Sequence, residues 1–139
     1  HGKRILDVGT GAGLPGIPLA IMDGGRQFVL LDSSAKKIRF VRQVVLELGL
    51  TNVEARVSRV EEASDAMGFD IVLARAFASL ADIYRLTHRL LRPGGRILAM
   101  KGRVPLEEIQ ALGSAEVLVH ALAIPGQAVE RHLLEIRVG

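Results

Sequence analysis

Short apolar runs alternate along the chain with longer stretches in which apolar residues recur every three or four positions. The short runs predict buried strands, and the longer stretches predict amphipathic helices. The predicted strands are residues 5–8, 27–31, 52–57, 69–74, 96–100, 117–122 and 132–138. The predicted helices are residues 17–22, 35–48, 80–91 and 105–112. Gly49 is expected to close the second helix, and the Pro93-Gly94-Gly95 run is expected to end the third.

The order of these elements predicts the topology of the sheet. Helical stretches separate most successive strands, which favours parallel βαβ units. The last two strands are joined by residues 123–131, which show no helical pattern, so we expect these strands to pair antiparallel. The sequence therefore predicts an α/β fold in one domain, residues 1–139, with a mostly parallel seven-stranded sheet and a C-terminal antiparallel hairpin.

A glycine-rich segment follows directly on the first predicted strand, with Gly9, Gly11 and Gly13 at alternate positions. Glycine is needed where the backbone turns at positive φ or lies against a ligand. A glycine-rich turn between a strand and a helix is where α/β folds bind nucleotides and related cofactors. A tight turn without a ligand is the simpler alternative, but three closely spaced glycines exceed what a turn requires.

Two cofactor classes are compatible with this segment. Residues 11–16 match the Gly-x-Gly-x-x-Gly fingerprint of dinucleotide-binding proteins. That fingerprint begins two residues late, however, because the strand runs directly into Gly9, and Pro15 interrupts the expected start of the helix. Residues 7–13 also read Asp-x-Gly-x-Gly-x-Gly, the loop of Rossmann-like methyltransferases, whose ligand is S-adenosylmethionine. We favour the second interpretation.

Asp32 stands at the C-terminal end of the second predicted strand. It follows Gly9 by about 20 residues, the separation expected for a carboxylate that accepts hydrogen bonds from both ribose hydroxyls. The alternative is that Asp32 only helps to start the next helix together with Ser33 and Ser34.

Composition and charge narrow the classes of function. The chain of 139 residues contains no cysteine, which excludes disulfides, thiolate metal sites and a cysteine nucleophile, including the one used in pyrimidine C5 methylation. Its four histidines show no ligand spacing, so we expect no metal. No apolar run is long enough to cross a membrane and no secretory signal is visible, so a cytoplasmic location is expected. The net charge of +3 is a mild indication of a polyanionic partner.

Six sequence blocks occur in an order that resembles one family, the bacterial 16S rRNA guanine-N7 methyltransferases, also called glucose-inhibited division protein B. The blocks are Asp-Val-Gly-Thr-Gly-Ala-Gly-Leu-Pro-Gly (7–16), Asp-Ser-Ser-Ala-Lys-Lys (32–37), Ser-Arg-Val-Glu-Glu (58–62), Arg-Ala-Phe-Ala-Ser (75–79), Lys-Gly (101–102) and Glu-Arg-His (130–132). The resemblance runs from residue 2 to about residue 138. The family also carries a helical N-terminal segment, which we expect to precede these residues in a longer chain.

The resemblance implies a fold, a cofactor and a substrate. The fold is the Rossmann-like one of class I S-adenosylmethionine-dependent methyltransferases, and the substrate is 16S rRNA in the small ribosomal subunit. Gly9 and Leu14 then contact the cofactor at the glycine loop, to which the loop pattern adds Gly11. Val60 and Glu61 then line the adenine side. Arg75 lies beside the methionine portion.

The implied chemistry needs no strong catalytic base. Guanine N7 is an unprotonated acceptor on the major-groove edge, so alignment of the reacting atoms is the main task. The strand that ends at residue 74 lacks the Asn/Asp-Pro-Pro-aromatic pattern of amino-group methyltransferases. Arg75, Lys101 and Arg131 are the candidates for positioning the substrate. Each could instead be a solvated charge or part of an internal ion pair.

Two other functions remain open at this point: a methyltransferase for small molecules, and a module that binds cofactor or RNA without catalysis. The pattern of residues 85–92 adds little in favour of RNA. Arg85, His88, Arg89 and Arg92 form a basic stripe at helical spacing, which we interpret as a solvated outer face rather than as an RNA contact.

Overall fold

The computed structural model describes residues 3–75, 79–101, 106–110, 112, 116–122 and 131–137. The strands are β1 (Arg4–Val8), β2 (Gln27–Asp32), β3 (Val53–Val57), β4 (Phe69–Arg75), β5 (Leu91–Lys101), β6 (Glu116–Leu122) and β7 (Arg131–Arg137). The α-helices are α1 (Gly16–Met22), α2 (Ala35–Leu48), α3 (Leu80–Thr87) and α4 (Leu106–Gln110). Two short 3₁₀ helices, Val60–Glu62 and His88–Leu90, complete the described elements.

All seven strands form one sheet in the order β3-β2-β1-β4-β5-β7-β6. The first five strands pair in parallel, and β7 pairs antiparallel with both β5 and β6. The predicted parallel sheet with a C-terminal hairpin is therefore confirmed. The strand order reverses beside β1, which pairs with β2 on one side and β4 on the other, and such a switch point is where open α/β sheets bind ligands.

Alternate residues of β1 are buried on opposite faces of the sheet. Ile5 belongs to a cluster with α1 and α2, including Ile17 and Val41. Leu6 and Val8 belong to the larger cluster under α3. Because side chains alternate along a strand, Asp7 lies on the α1 face together with Ile5.

Local signals account for the bounds of α2. The Ser34 hydroxyl accepts a hydrogen bond from the backbone N–H of Lys37 and caps the first turn. Gly49 ends the helix in the left-handed conformation, with φ 65°. Both ends lie where the sequence predicts them.

The segment between α3 and β5 differs from the prediction. The helix expected over 80–91 ends at Thr87, and its last residues form the 3₁₀ helix His88–Leu90. The strand expected at 96 already begins at Leu91. The strand includes Pro93, Gly94 and Gly95, the residues expected to end the preceding helix. The pairing of β4 with β5 shifts register between Phe69 and Ile71, and this irregularity accommodates them.

None of the helices in the described ranges has the length and apolar character needed to cross a membrane.

Candidate cofactor-binding cleft

The glycine loop, residues 9–15, connects β1 to α1 at the carboxyl edge of the parallel strands. Gly9 has φ 68°, and a Cβ added there would meet no atom within 4 Å, so its backbone is open to whatever occupies the space beside it. Gly16, the first residue of α1, has the opposite environment. A Cβ on Gly16 would lie 2.8 Å from the Leu30 side chain and 2.9 Å from Asp7 Oδ2. The helix can therefore approach the sheet only with glycine at this position.

The side chain of Asp7 holds the glycine loop through hydrogen bonds. Its Oδ2 accepts hydrogen bonds from the Thr10 hydroxyl at 2.9 Å and from the backbone N–H of Gly16 at 3.0 Å. Its Oδ1 is buried without a hydrogen-bond partner. Burial raises the pKa of the Asp7 carboxyl to about 7, against the opposing effects of the two hydrogen bonds and of the Arg75 charge. Asp7 is a structural acid of the loop, because only 1% of its surface is exposed.

Asp32, at the end of β2, joins the glycine loop to the start of α2. Its Oδ2 accepts a hydrogen bond from the backbone N–H of Gly11, and its Oδ1 accepts one from the backbone N–H of Ser34, both at 2.9 Å. The alternative role considered from the sequence, at the helix start, is thus present in the structure. The role in ribose binding remains a prediction, and each carboxylate oxygen has a second lone pair with which to accept a ribose hydroxyl.

A cleft of about 520 Å³ opens beside these loops. Four of the residues predicted to bind the cofactor line it: Gly9, Asp32, Val60 and Glu61. The remaining lining residues come from the ends of β1 and β2, the turn after β3 and the helix α3: Val8, Leu31, Ser33, Ser58, Arg59, Asp82, Arg85 and Leu86. The contribution of α3 was not predicted from the sequence.

Arg75 ends β4 beside the glycine loop. Its side chain is exposed, and its Nη2 would lie 3.3 Å from a Cβ added at Gly11, so the guanidinium rests against the loop backbone. Leu14, also in the loop, is 49% exposed. Gly11, Leu14 and Arg75 do not line the cleft itself, and their predicted cofactor contacts remain predictions.

Lys101 and Arg131 reach the same edge of the sheet through their backbone positions. Arg75 pairs with Met100 in the β4–β5 register, so Lys101 lies one residue beyond it on the neighbouring strand. Lys101 pairs in turn with His132 of β7, and Arg131 begins that strand. The topology therefore gathers the three predicted positioning residues at one edge of the sheet, where the parallel strands β4 and β5 end and the antiparallel strand β7 begins.

The basic stripe of residues 85–92 is more than a solvated face. Arg89 is exposed, yet its Nη1 donates to the carbonyl of Ala63 at 2.6 Å, and its Nη2 donates to those of Val60 and Glu61 at 2.7 and 3.1 Å. Arg92 donates to the carbonyl of Met67 and forms a salt bridge with Asp70. The interpretation as a solvated outer face stays a prediction, but it did not include these contacts, because helical spacing shows which side chains share a face and not which backbone acceptors lie opposite.

The cleft offers surfaces that match the parts of a nucleoside. An open backbone at Gly9, a half-buried carboxylate at Asp32 and an apolar wall at Val60 match the parts of a ribose and a base. Within the described part of the chain, no three His, Asp or Glu side chains come together as a metal site requires.

Comparison with known proteins shows which family the chain matches. The family model described as rRNA small subunit methyltransferase G matches residues 1–134. A protein of Methylococcus capsulatus named "Ribosomal RNA small subunit methyltransferase G" is 58% identical over 99% of this chain and 67% of its own length. The protein of the same name from Aeromonas hydrophila is 54% identical over 99% of this chain and 65% of its own length. The chain thus spans about two thirds of these relatives.

A solved structure supports the fold independently of close sequence similarity. A SAM-dependent methyltransferase from Aquifex aeolicus superimposes with a TM-score of 0.76 at 18% identity, covering 100% of this chain and 84% of its own. The predicted fold class is confirmed.

Proposed function

The chain belongs to the rRNA small subunit methyltransferase G (GidB) family, and from that premise we propose that it transfers a methyl group from S-adenosylmethionine to N7 of a guanine in 16S rRNA. The family resemblance expected from the six sequence blocks is confirmed. The observation that carries the proposal is the coincidence of this family match with a cleft at the sheet's switch point, lined by Gly9, Asp32, Val60 and Glu61.

The residues of the cleft suit the proposed cofactor. We assign the ribose to Asp32, the adenine to the turn at Val60 and Glu61, and the methionine portion to the side of Arg75. When bound, S-adenosylmethionine supplies an electrophilic methyl group on a sulfonium. The open backbone of Gly9 leaves room for close approach of the ligand, since a Cβ there would meet nothing and the space beside it belongs to the cleft.

The protein's contribution to the chemistry is orientation. Guanine N7 carries no proton, so no side chain has to remove one before attack. Arg75, at the end of β4, and the neighbouring positions 101 and 131 supply positive charge at one edge of the sheet. We assign Arg75, Lys101 and Arg131 to holding RNA phosphates or the guanine edge, where a fixed approach geometry accelerates the transfer.

The proposed partner is the small ribosomal subunit, in the cytoplasm. The net charge of +3 is in keeping with a polyanionic substrate. We also propose that the methyl transfer needs no metal ion.

Radiolabelled methyl transfer tests the proposal directly. Small subunits from a strain that lacks its native enzyme for this position are incubated with the protein and methyl-labelled S-adenosylmethionine, and subunits from the parent strain serve as the already methylated control. Label at guanine N7 in the deficient subunits alone is the expected result. Label only in small molecules would favour the small-molecule methyltransferase, and cofactor binding without any transfer would favour a binding module. Calorimetry with NAD is the cofactor control, and NAD binding as tight as that of S-adenosylhomocysteine would overturn the cofactor assignment.

A further inference from the structure

One wall of the cleft is a short turn with little structure of its own. Residues 60–62 form a single 3₁₀ turn, and the residues on both sides of it, Arg59 and Ala63, are extended. The backbone hydrogen bonds that belong to the turn are those from Glu62 to Arg59 and from Ala63 to Val60. A turn of this length has poor hydrogen-bond geometry and is held chiefly by its surroundings. The conformation of the wall therefore depends on contacts from other elements.

Arg89 supplies such contacts from 26 to 29 residues away in the chain. Its guanidinium donates to three carbonyl oxygens of the turn, those of Val60, Glu61 and Ala63, at distances between 2.6 and 3.1 Å. A planar guanidinium presents its donors in a fixed fork, so three acceptors on one curved backbone define the position of that backbone. An ammonium group could not reproduce the same set of angles.

The same arginine connects two walls of the cleft. It lies in the 3₁₀ helix that continues α3, and α3 carries the lining residues Asp82, Arg85 and Leu86. The turn at 60–63 carries the lining residues Val60 and Glu61. A shift of α3 relative to β3 would therefore be transmitted to the wall through Arg89.

We infer that Arg89 is a positioning residue for the base end of the cofactor site: it fixes the turn at residues 60–63 against α3 and itself touches neither cofactor nor substrate. The inference rests on the proposed function, because it takes residues 60 and 61 as the adenine wall. Its consequence is specific. Loss of Arg89 weakens the hold on the cofactor while leaving the transfer step, which takes place at the other end of the ligand, unchanged once the site is filled.

Arg92 offers a matched control. It lies three residues further along the chain and, like Arg89, donates to a backbone carbonyl, that of Met67 at 2.8 Å. Its salt bridge with Asp70 places it near the amino end of β4, away from the cleft. Arg92→Ala therefore removes a carbonyl-binding arginine of the same region without touching the turn.

The test compares the wild type with Arg89→Ala, Arg89→Lys and Arg92→Ala in three measurements. The first measurement is hydrogen exchange of the amides at 60–63 without ligand. The second is the affinity for S-adenosylhomocysteine by calorimetry. The third is KM and kcat with small ribosomal subunits as substrate. We expect faster exchange at 60–63 and about tenfold weaker affinity in Arg89→Ala, with KM for the cofactor raised and kcat retained. Arg89→Lys should recover only part of the affinity. Arg92→Ala should leave both exchange at 60–63 and affinity at the wild-type level.

Unchanged exchange at 60–63 and unchanged affinity in a folded Arg89→Ala protein would overturn the inference and leave the proposed function standing. If Arg89→Ala does not fold, Arg89→Lys decides the matter by the same two measurements. Faster exchange in the variant combined with a wild-type protein that binds no S-adenosylhomocysteine would overturn the cofactor assignment while keeping the structural role of Arg89. An equal fall in kcat and rise in KM would also contradict the assignment of Arg89 to the base end alone.

Discussion

The carboxylate of Asp32 accepts a hydrogen bond from the backbone N–H of Gly11 at 2.9 Å, across 21 residues of sequence. Its other oxygen accepts from Ser34 at the same distance. One side chain thus fixes two loops that border the cleft before any ligand enters. A carboxylate held from two sides keeps its orientation, so the remaining lone pairs point in defined directions. Asp32 is therefore expected to act both as a tether and as a ribose acceptor.

Replacing Asp32 by alanine should weaken binding of S-adenosylhomocysteine by about 1.5–3 kcal/mol, the range for hydrogen bonds to a charged group. Isothermal titration calorimetry measures the change. Ser34→Ala is the control, because it removes the cap of α2, with a stability cost of about 1 kcal/mol, but no oxygen facing the cleft. Equal affinity in the two variants would reduce Asp32 to a helix-start residue.

Arg75→Lys should retain the fold and lose most of the methylation rate. The arginine rests against the glycine loop at the end of β4, and a lysine has the charge but not the planar fork. Loss of an oriented contact worth roughly 2–3 kcal/mol lowers kcat/KM by about 30- to 150-fold. Initial rates on small ribosomal subunits and the melting temperature are measured together. Wild-type rates at an unchanged melting temperature would make Arg75 an ordinary surface charge.

Gly16→Ala should destabilise the protein by about 1–3 kcal/mol, because the new methyl group would overlap Leu30 and Asp7. Urea unfolding gives the free energy. Gly24→Ala is the matched control, since a Cβ at Gly24 meets nothing within 4 Å. A Gly16→Ala protein as stable as the control would mean that α1 can move away from the sheet at little cost.

The contribution of Asp7 to the free energy of unfolding should fall as the pH rises from about 4 to about 7. The pKa of Asp7 is about 7 in the folded protein against an ordinary value of 3.8, so in this window the folded state keeps a proton that the unfolded chain releases. The slope from this group cannot exceed about 1.4 kcal/mol per pH unit. Asp7→Asn should remove this slope. Urea unfolding of the wild type and of Asp7→Asn is measured from pH 4 to pH 8, and the difference between their free energies of unfolding gives the contribution of Asp7. Parallel curves for the two proteins would contradict the raised pKa.

Asp65 should have the opposite pH dependence at lower pH. Its hydrogen bonds with Arg4 lower its pKa to about 2, so it stabilises the fold above its ordinary pKa of 3.8, and that contribution is lost as the pH falls toward 2. Its side chain is 7% exposed, and breaking such a pair in Asp65→Asn should cost about 3 kcal/mol at pH 7. Cofactor affinity should not change, because Arg4 begins β1 at the end of the sheet away from the cleft. A loss of affinity in a folded Asp65→Asn protein would show that the two ends of the sheet are coupled.

The parts of the fold that sequence predicts are those set by local signals. Ser34 and Gly49 mark the ends of α2, and the alternation of strands with helices predicts the parallel sheet. The early start of β5 was not predictable in this way. Proline and glycine usually end an element, and only the register shift against β4 shows how the sheet accepts them here.

The candidate site also has parts that the sequence predicts and parts that it does not. Gly9 and Asp32 follow directly on predicted strands, and strand ends of a parallel sheet share one edge, so their proximity could be predicted. The lining residues of α3 and the contacts of Arg89 depend on how one helix packs over a turn some 26 residues earlier. No periodic pattern in a single sequence carries that information. The roles assigned to Arg75, Lys101 and Arg131 remain predictions.

The order of the sheet has a consequence for how the chain is made. β7 lies between β5 and β6, although it is synthesised after both. Until residues 131–137 have left the ribosome, β5 presents a bare edge, and β6 has no partner strand within the described sheet. A chain that ends before residue 131 lacks β7, and β6 then has no strand that joins it to the rest of the described sheet. Its unpaired backbone groups would be free to recruit a strand from another molecule, so aggregation is the expected fate of incomplete translation products.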